Sequence, residues 1–381
     1  MGTNWRTVKF GDICKINNET YSISENWDFV NYLDTGNITK NVINEFQFIS
    51  IKNDKLPSRA RRKVKNGNII YSTVRPNQEH YGYITSQPQN FLVSTGFAVI
   101  DVNLNLADSK FIYYNLTQRE YTNLLQSIAE QSTTTYPSIK SIDIANLKIS
   151  IPSLSVQKKI AAILSALDDK IELNEKINQN LEAQAQAIFK SWFVDFDPFD
   201  GKMPADWKAY KLGEFLPVIT GKKNANVSSS KGKYPFFSCA QDTAWTDEFS
   251  FDANAILVAG NGDFNVKFYS GKFEAYQRTY VLVPHDPTFT NWLYYVVKYN
   301  LEKITSGARG SVIKFITKGN LEDFSFFAPR NLDKFTPIDF FNSANNKIAE
   351  NKLEILKLSQ LRDTLLPKLM SGEIDVLKIE L

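Results

Sequence analysis

The residues able to do chemistry are few, and most of them bind rather than react. Two histidines, His80 and His285, fall in different halves of the 381-residue chain, and neither has cysteine or acidic neighbours at zinc spacing. No Gly-x-x-x-x-Gly-Lys-Ser/Thr run occurs; Gly221-Lys222-Lys223 lacks the upstream glycine and the hydroxyl that would hold magnesium. A Gly-x-Ser-x-Gly nucleophile elbow is also missing. What remains suits a polyanion with readable edges. Arg59, Arg61, Arg62, Lys63 and Lys65 place five cations in seven residues, which as phosphate contacts would give salt-dependent, sequence-blind affinity. Arg75, Asn77 and Gln78 follow an apolar run in the first half; Asn261, Asn265 and Lys267 follow the matching run in the second. Arginine, asparagine and glutamine grip guanine or adenine edges bidentately in the major groove. Arg278, Arg309 and the hydroxyl-rich loop with Thr133, Thr134 and Tyr136 have the same candidate role, while Lys222 and Lys223 suit backbone contacts. A solvated charged face and ordinary hairpin turns are the bland readings of these same residues.

Such side chains act only where a scaffold presents them, and the sequence writes that scaffold twice. Trp5-Arg-Thr-Val-Lys-Phe-Gly-Asp-Ile13 is answered by Trp207-Lys-Ala-Tyr-Lys-Leu-Gly-Glu-Phe215. Residues 66–74, a turn and then a buried strand, are echoed by 253–260. Residues 91–100 correspond loosely to 273–283. Each half then predicts a short helix, over 110–116 with Asp108 or Ser109 as N-cap and over 291–297 with Thr290 in that role. A polar loop and a short strand ending at Pro152 or Pro329 complete each unit. The framework matches while the offset drifts from 202 to 177, so the loops differ and the two modules are expected to recognise different things. Asp195-Phe-Asp-Pro-Phe199 shares one proline with the Asp-Pro-Pro-Phe motif of adenine methyltransferases, but no glycine-rich strand and turn for a methyl donor accompanies it; a helix stop and linker is its expected role.

Beyond each proline runs a long apolar repeat. Ile160, Leu164, Leu167, Ile171, Asn174, Asn178, Leu181, Ala185 and Ile188 step by threes and fours, and a shift of 177 lands Ile348 on Ile171, Asn351 on Asn174 and Leu358 on Leu181. A 3.5-residue period over about four heptads is a coiled-coil seam. One such helix cannot bury its stripe alone, so its expected partner is its own repeat, packed antiparallel as the chain leads away and returns. About 28 residues at ~1.5 Å rise make a rod of roughly 42 Å. Asn174 and Asn351 are expected to pair across the seam and fix its register at some cost in stability. The expected fold class is α+β: two tandem α/β domains, 1–152 and 205–330, with helical spacers and tails at 153–204 and 331–381.

Composition sets outer bounds. Apolar residues make 43% and charged residues 22% of the chain, ordinary values for a globular protein. No run approaches the ~18 apolar residues of a membrane span, the N-terminus has no apolar signal region, and Cys14 and Cys239 have no partner spacing, so a cytoplasmic protein is expected. The net charge of +3 divides unevenly: 16 Lys+Arg against 13 Asp+Glu in 1–152, 15 against 12 in 205–330, and 13 against 16 in the helical stretches. Basic lobes on mildly acidic rods are a weak electrostatic footprint of a DNA binder.

Together these residues resemble the specificity subunit of a bacterial type I restriction–modification system, over essentially the full length. The resemblance is carried by Ile151-Pro-Ser-Leu-Ser-Val-Gln-Lys-Lys-Ile160, Lys190-Ser-Trp-Phe-Val-Asp-Phe-Asp-Pro-Phe199, Leu365-Leu-Pro-Lys-Leu-Met-Ser-Gly-Glu-Ile374, Asn66-Gly-Asn-Ile-Ile-Tyr-Ser-Thr-Val-Arg-Pro76 and Val93-Ser-Thr-Gly-Phe97. It implies a non-catalytic subunit whose two target recognition domains each read half of a split site in double-stranded DNA. It implies also that the antiparallel helices fix the gap and dock two methyltransferase subunits, with restriction subunits joining that core. The chain itself would need no cofactor; S-adenosylmethionine and ATP would belong to partner subunits. In the second half Tyr276-Gln-Arg-Thr-Tyr280 stands where Val93-Ser-Thr-Gly-Phe97 stands in the first, a departure from the pattern. Two other readings compete: a two-lobed protein-binding scaffold, and a self-sufficient DNA methyltransferase, which the missing methyl-donor motif disfavours.

Overall fold

The computed structural model describes residues 5–132, 136–229, 232–332 and 336–378. It divides into two compact units, one made of Met1–Glu172 with Ile355–Leu381 and the other of Leu173–Glu354. The division cuts both long helices, so each unit owns part of each, where the sequence set the helices apart as separate segments.

In the first unit, strand Arg6–Lys9 pairs antiparallel with Lys148–Ile151. Two four-stranded sheets follow. One orders Gln47–Ser50, Phe29–Leu33, Phe91–Ser94 and Ala60–Lys63; the other orders Cys14–Ile16, Phe97–Val102, Ile69–Ser72 and Tyr81–Tyr83. Strand Ile69–Ser72 is buried on both faces, which is why it reads as an unbroken apolar run. Helix Ser109–Leu116 is apolar around nearly its whole circumference and lies in the core; Asp108 caps it by accepting from the Phe111 amide at 2.9 Å. In the second unit, Trp207–Lys211 pairs with Ser325–Pro329, and a six-stranded sheet is built around Phe251–Ala259. The matching helix runs Thr290–Tyr299, but Thr290 is not its N-cap. It already lies inside the helix, its hydroxyl donating to the Pro287 carbonyl at 2.9 Å, while Asp286 caps the preceding turn through the Thr288 amide.

The long helices run Leu154–Lys190 and Pro337–Ser371, 37 and 35 residues rather than about 28. At ~1.5 Å per residue their contours are roughly 55 and 52 Å. The excess arises because the ends are core helix. Val156, Ile160 and Leu164 are buried with Leu369 and Met370 in the first unit, and Ala185 and Phe189 with Ile338 and Phe341 in the second. Start therefore packs with end, the antiparallel arrangement, in each unit. The first helix stops as the sequence suggests. A π-turn over Ser191–Asp195 is followed by Phe196 in the left-handed region and by Pro198, while Phe193, Phe196 and Phe199 pack on Trp207. The second helix runs through Pro367 near its end.

The middle of the seam differs from expectation. Ile171, Leu181, Ile348 and Leu358 are only half-buried, whereas Asn174 and Asn351 are each 1% exposed. The two asparagines do not pair. Asn174 donates to the Glu354 carboxylate at 2.8 Å, and Asn351 donates to the Asn178 side chain at 2.9 Å. As one partner climbs from 174 to 178 the other falls from 354 to 351, which is antiparallel pairing about one turn away from an Asn174–Asn351 contact.

Candidate nucleic-acid interface

In the first unit the loop after strand Ile69–Ser72 is stitched to residues 137–139. Arg75 donates its amide to the Pro137 carbonyl at 2.9 Å, and Ile139 donates to Thr73 at 2.8 Å. This ladder sets the Arg75 guanidinium over the Tyr136 ring, 4.8 Å from its centroid, with Tyr136 56% exposed. Arg75 has φ +48, in the left-handed region that ordinary side chains disfavour. Asn77 and Gln78 lie in the turn that follows and are exposed; the Asn77 amide donates to Gln126 at 3.2 Å. Asn77 also lines an open cleft of about 750 Å³ together with Tyr81, Tyr114, Arg119, Asp168 and Arg362, whose mixed charges are not those of a polyanion site. Thr133 and Thr134 lie outside the described residues.

The cation cluster is less uniform than its composition. Residues Ala60–Lys63 form a strand rather than preceding one, so successive side chains point to opposite faces. Arg59 and Lys65 are exposed at its flanks. Lys63 pairs with Glu25 and lies 5.4 Å from the Trp27 ring centroid; Lys65 pairs with Asp101 at 2.8 Å. Arg62 is half-buried with no partner for its Nε among the described residues, and burial pulls its pKa down. Arg61 is half-buried. The Arg59 guanidinium covers Gly96, its Nη2 2.5 Å from where a Cβ would stand.

The second unit repeats the stitching. Gly262 donates to the Lys314 carbonyl at 2.9 Å and Ile316 donates to Gly260 at 2.9 Å. Position by position, Gly262 answers Arg75, Lys314 answers Pro137 and Ile316 answers Ile139. Arg309 and Phe315 exchange amide bonds of 2.9 and 2.8 Å, closing a hairpin that carries Arg309 at its base. Asn261 is bridged to Phe315 in the same ladder. The strand match shifts by one residue from the sequence alignment. Phe97 pairs with Ser72 and Thr279 with Ala259, so Thr279 answers Phe97 and Arg278 answers Gly96. Both units thus bring an arginine to this place, from different strands. Lys222 stands near the Phe251 ring at 5.5 Å, and Lys223 pairs with Glu248 at 2.7 Å. Asn265 and Lys267 are turned to structural work: Asn265 donates to Cys239 and Asp263 carbonyls, and Lys267 to the Ala240 carbonyl at 2.6 Å.

The hairpin tip carries side chains that the sequence reading passed over. Val312 is 92% exposed and Ile313 58%. The signal was available, since the 177 shift that aligns the long helices also lands Tyr136 on Ile313. No cluster of three His, Cys, Asp or Glu able to hold a metal occurs among the described residues, and none of their helices is long and apolar enough to cross a membrane.

Each unit has the same backbone plan, with a stitched loop at an equivalent place and a share of both long helices, so the chain is a tandem repeat of one module. The chain belongs to the type I restriction modification DNA specificity domain family, whose model matches residues 2–183 and 204–354. It is 38% identical over 242 residues to the type I restriction enzyme HindI specificity subunit of Haemophilus influenzae, an alignment covering 61% of this chain and 51% of that one. Against the EcoDI specificity subunit of Escherichia coli it is 38% identical over 178 residues, 46% of this chain and 40% of the other. The aligned part is thus about half of those relatives or less. The fold is also that of a type I restriction–modification S subunit from M. genitalium, with TM-score 0.61 at 18% identity and 96% coverage of both chains.

Proposed function

We propose that this chain is the non-catalytic DNA specificity subunit of a type I restriction–modification complex in the cytoplasm. Each recognition module reads one half of a split duplex site, and the helix pair sets the gap and docks two methyltransferase subunits, which restriction subunits then join. S-adenosylmethionine and ATP would be held by those partners. The single observation that carries the reading is the repeated stitched loop, 73–75 with 137–139 and 260–262 with 314–316: one frame offering two different sets of side chains. Arg59, Arg75, Lys222, Arg278 and Arg309 supply the cations such contacts need.

Sequencing methylated adenines in cells that carry this chain with its methyltransferase tests the reading. A split motif of two unlike halves at constant gap is expected; methylation without a split motif would count against it. In vitro, duplex binding is expected to weaken steeply with salt. A flat salt response with retained protein partners would instead favour a protein scaffold. Inserting one heptad in each long helix is expected to lengthen the preferred gap or abolish binding, and an unchanged gap would end the ruler assignment.

A further inference from the structure

The stitched loops can be compared one side chain against another, because their backbone hydrogen bonds fix the equivalence without reference to sequence similarity. Both residues after the strand have positive φ, Arg75 at +48 and Gly262 at +72, so the backbone takes the same turn in each unit. Glycine adopts that turn freely, whereas arginine does so under strain. An arginine kept where glycine fits better is there for its side chain. Tyr136 braces that side chain, its ring centroid 4.8 Å from the guanidinium carbon, and guanidinium N–H groups are the donors it can offer. In the second unit Gly262 offers no side chain, and nothing stands within 4 Å of where its Cβ would be. The answering tip is aliphatic: Ile313 takes the place of Tyr136, with Val312 beside it. Arg309, Ser311 and Lys314 flank them and are exposed, so the apolar pair sits in a polar and basic rim that suits a phosphate backbone. Scattered apolar residues on a surface are ordinary, but two adjacent ones at the tip of a hairpin whose base is bridged to Asn261, between Arg309 and Lys314 in sequence, are placed to meet a ligand.

We propose that the two modules differ in chemistry at this one equivalent place. The first reads a guanine through the two acceptors of its major-groove edge, using Arg75 braced by Tyr136. The second reads a thymine through its 5-methyl group, using Val312 and Ile313. The inference rests on the duplex-reading function proposed above and adds the base class that each tip selects.

The test uses the full chain in its methyltransferase complex and duplexes recovered from a random pool. Deoxyuridine then replaces each thymine singly, and 7-deazaguanine each guanine. One thymine in one half-site is expected to cost about 3- to 10-fold in affinity when its methyl is removed, the scale of one buried methyl group. One guanine in the other half-site is expected to cost about 10-fold or more when its N7 acceptor is lost. The double variant Val312→Ser/Ile313→Ser abolishes the thymine-over-uracil preference and leaves the guanine preference intact; Arg75→Gly does the reverse. All four side chains at the tips are solvent-accessible and glycine relieves the strain at position 75, so neither variant should melt below the wild type. The proposal is overturned if no uracil substitution weakens binding, if the thymine preference survives in the serine variant, or if Arg75→Gly leaves every guanine preference unchanged. A wild-type complex that recovers no sequence from the pool would instead overturn the duplex-reading function itself.

Discussion

The two units keep the same frame and change what it displays, and the difference separates residues that hold the frame from residues that it presents. In the first unit Tyr114, on the core helix Ser109–Leu116, donates to Asp168 of the first long helix at 2.6 Å, and Arg362 of the second donates to the same carboxylate at 2.8 Å. In the second unit Tyr295, on helix Thr290–Tyr299, donates to Glu182 of one long helix and to Asn345 of the other, both at 3.1 Å, while Lys298 donates to Glu182 at 2.6 Å. In each unit a core-helix tyrosine thus bonds a long-helix carboxylate that also belongs to a charge pair, with the second long helix in the first unit and with the core helix itself in the second. The partners are rewired, but the function of the tie is preserved. At the stitched loops nothing comparable is preserved: arginine faces glycine and tyrosine faces isoleucine. Framework positions are constrained by packing, and tips only by what they touch.

The frame is broken hardest at its centre. Phe111 and Trp292 occupy corresponding turns of the two core helices, and both are fully buried. Truncating either to alanine is expected to cost about 3–5 kcal/mol, read as a lowered thermal midpoint. Trp292→Phe sharpens the comparison. Trp292 packs on Phe193, Phe215, Phe289 and Phe326, but its indole N–H has no hydrogen-bond partner among the described residues. Replacing it by the first unit's residue removes that unpaired donor, so the loss should stay below about 1.5 kcal/mol. A loss as large as that of the alanine variant would show that indole volume, not aromatic stacking, fills the second core.

The charge ties come next. Arg362→Ala leaves the half-buried Asp168 with only Tyr114, and Lys298→Ala leaves Glu182 with Tyr295 and Gln186. About 1–2 kcal/mol is expected for each, since removing one partner exposes the cost of burying the other. Their pH dependence sharpens the point. Burial pushes the Glu182 carboxyl upward, but hydrogen bonds from Lys298, Gln186 and Tyr295 outweigh it and hold the pKa below its ordinary 4.5. A depressed carboxylate contributes stability that is complete above the unfolded value, near 4.5, and is lost as pH falls through the lower folded value. Wild type should therefore lose midpoint on acidification below pH 4.5 more steeply than Glu182→Gln. Parallel curves would mean that Glu182 contributes nothing to the tie.

How much of this was legible follows from what each signal depends on. Apolar periodicity belongs to a single helix, so Ile171, Asn174, Leu181 and their repeats could be placed on the seam from spacing alone. Register belongs to two helices and is set where their ends enter cores, by residues such as Leu164 with Met370 and Phe189 with Phe341. Nothing in the seam's own spacing records that, which is why Asn174 meets Glu354 rather than Asn351. The loops show the same limit. Arg75 and Tyr136 were each recognisable as base-reading types, but their stacking depends on a ladder between segments 61 residues apart. For Arg59–Lys63 composition misled in one respect: a strand alternates its side chains, and Glu25, reached only through the fold, takes Lys63.

The smallest effects distinguish two kinds of polar contact in the helix pair. Asn351 and Asn178 hydrogen-bond only through neutral amides, and replacing both by leucine removes donor and acceptor together while adding apolar area to the seam. That double variant is expected to gain up to about 1 kcal/mol. Asn174 instead donates to a carboxylate, and Glu354 is half-buried. Leucine at position 174 would take away that donor to a charged acceptor, so a loss of about 0.5–1 kcal/mol is expected despite the added burial. Opposite signs in chemical denaturation would mean that the neutral pair specifies alignment at a cost while the Asn174–Glu354 contact stabilises the seam. If both variants gained stability, the register would be held by the buried helix ends alone, and the bonds of Tyr114 and Tyr295 would be the polar contacts that fix each core helix on the long helices.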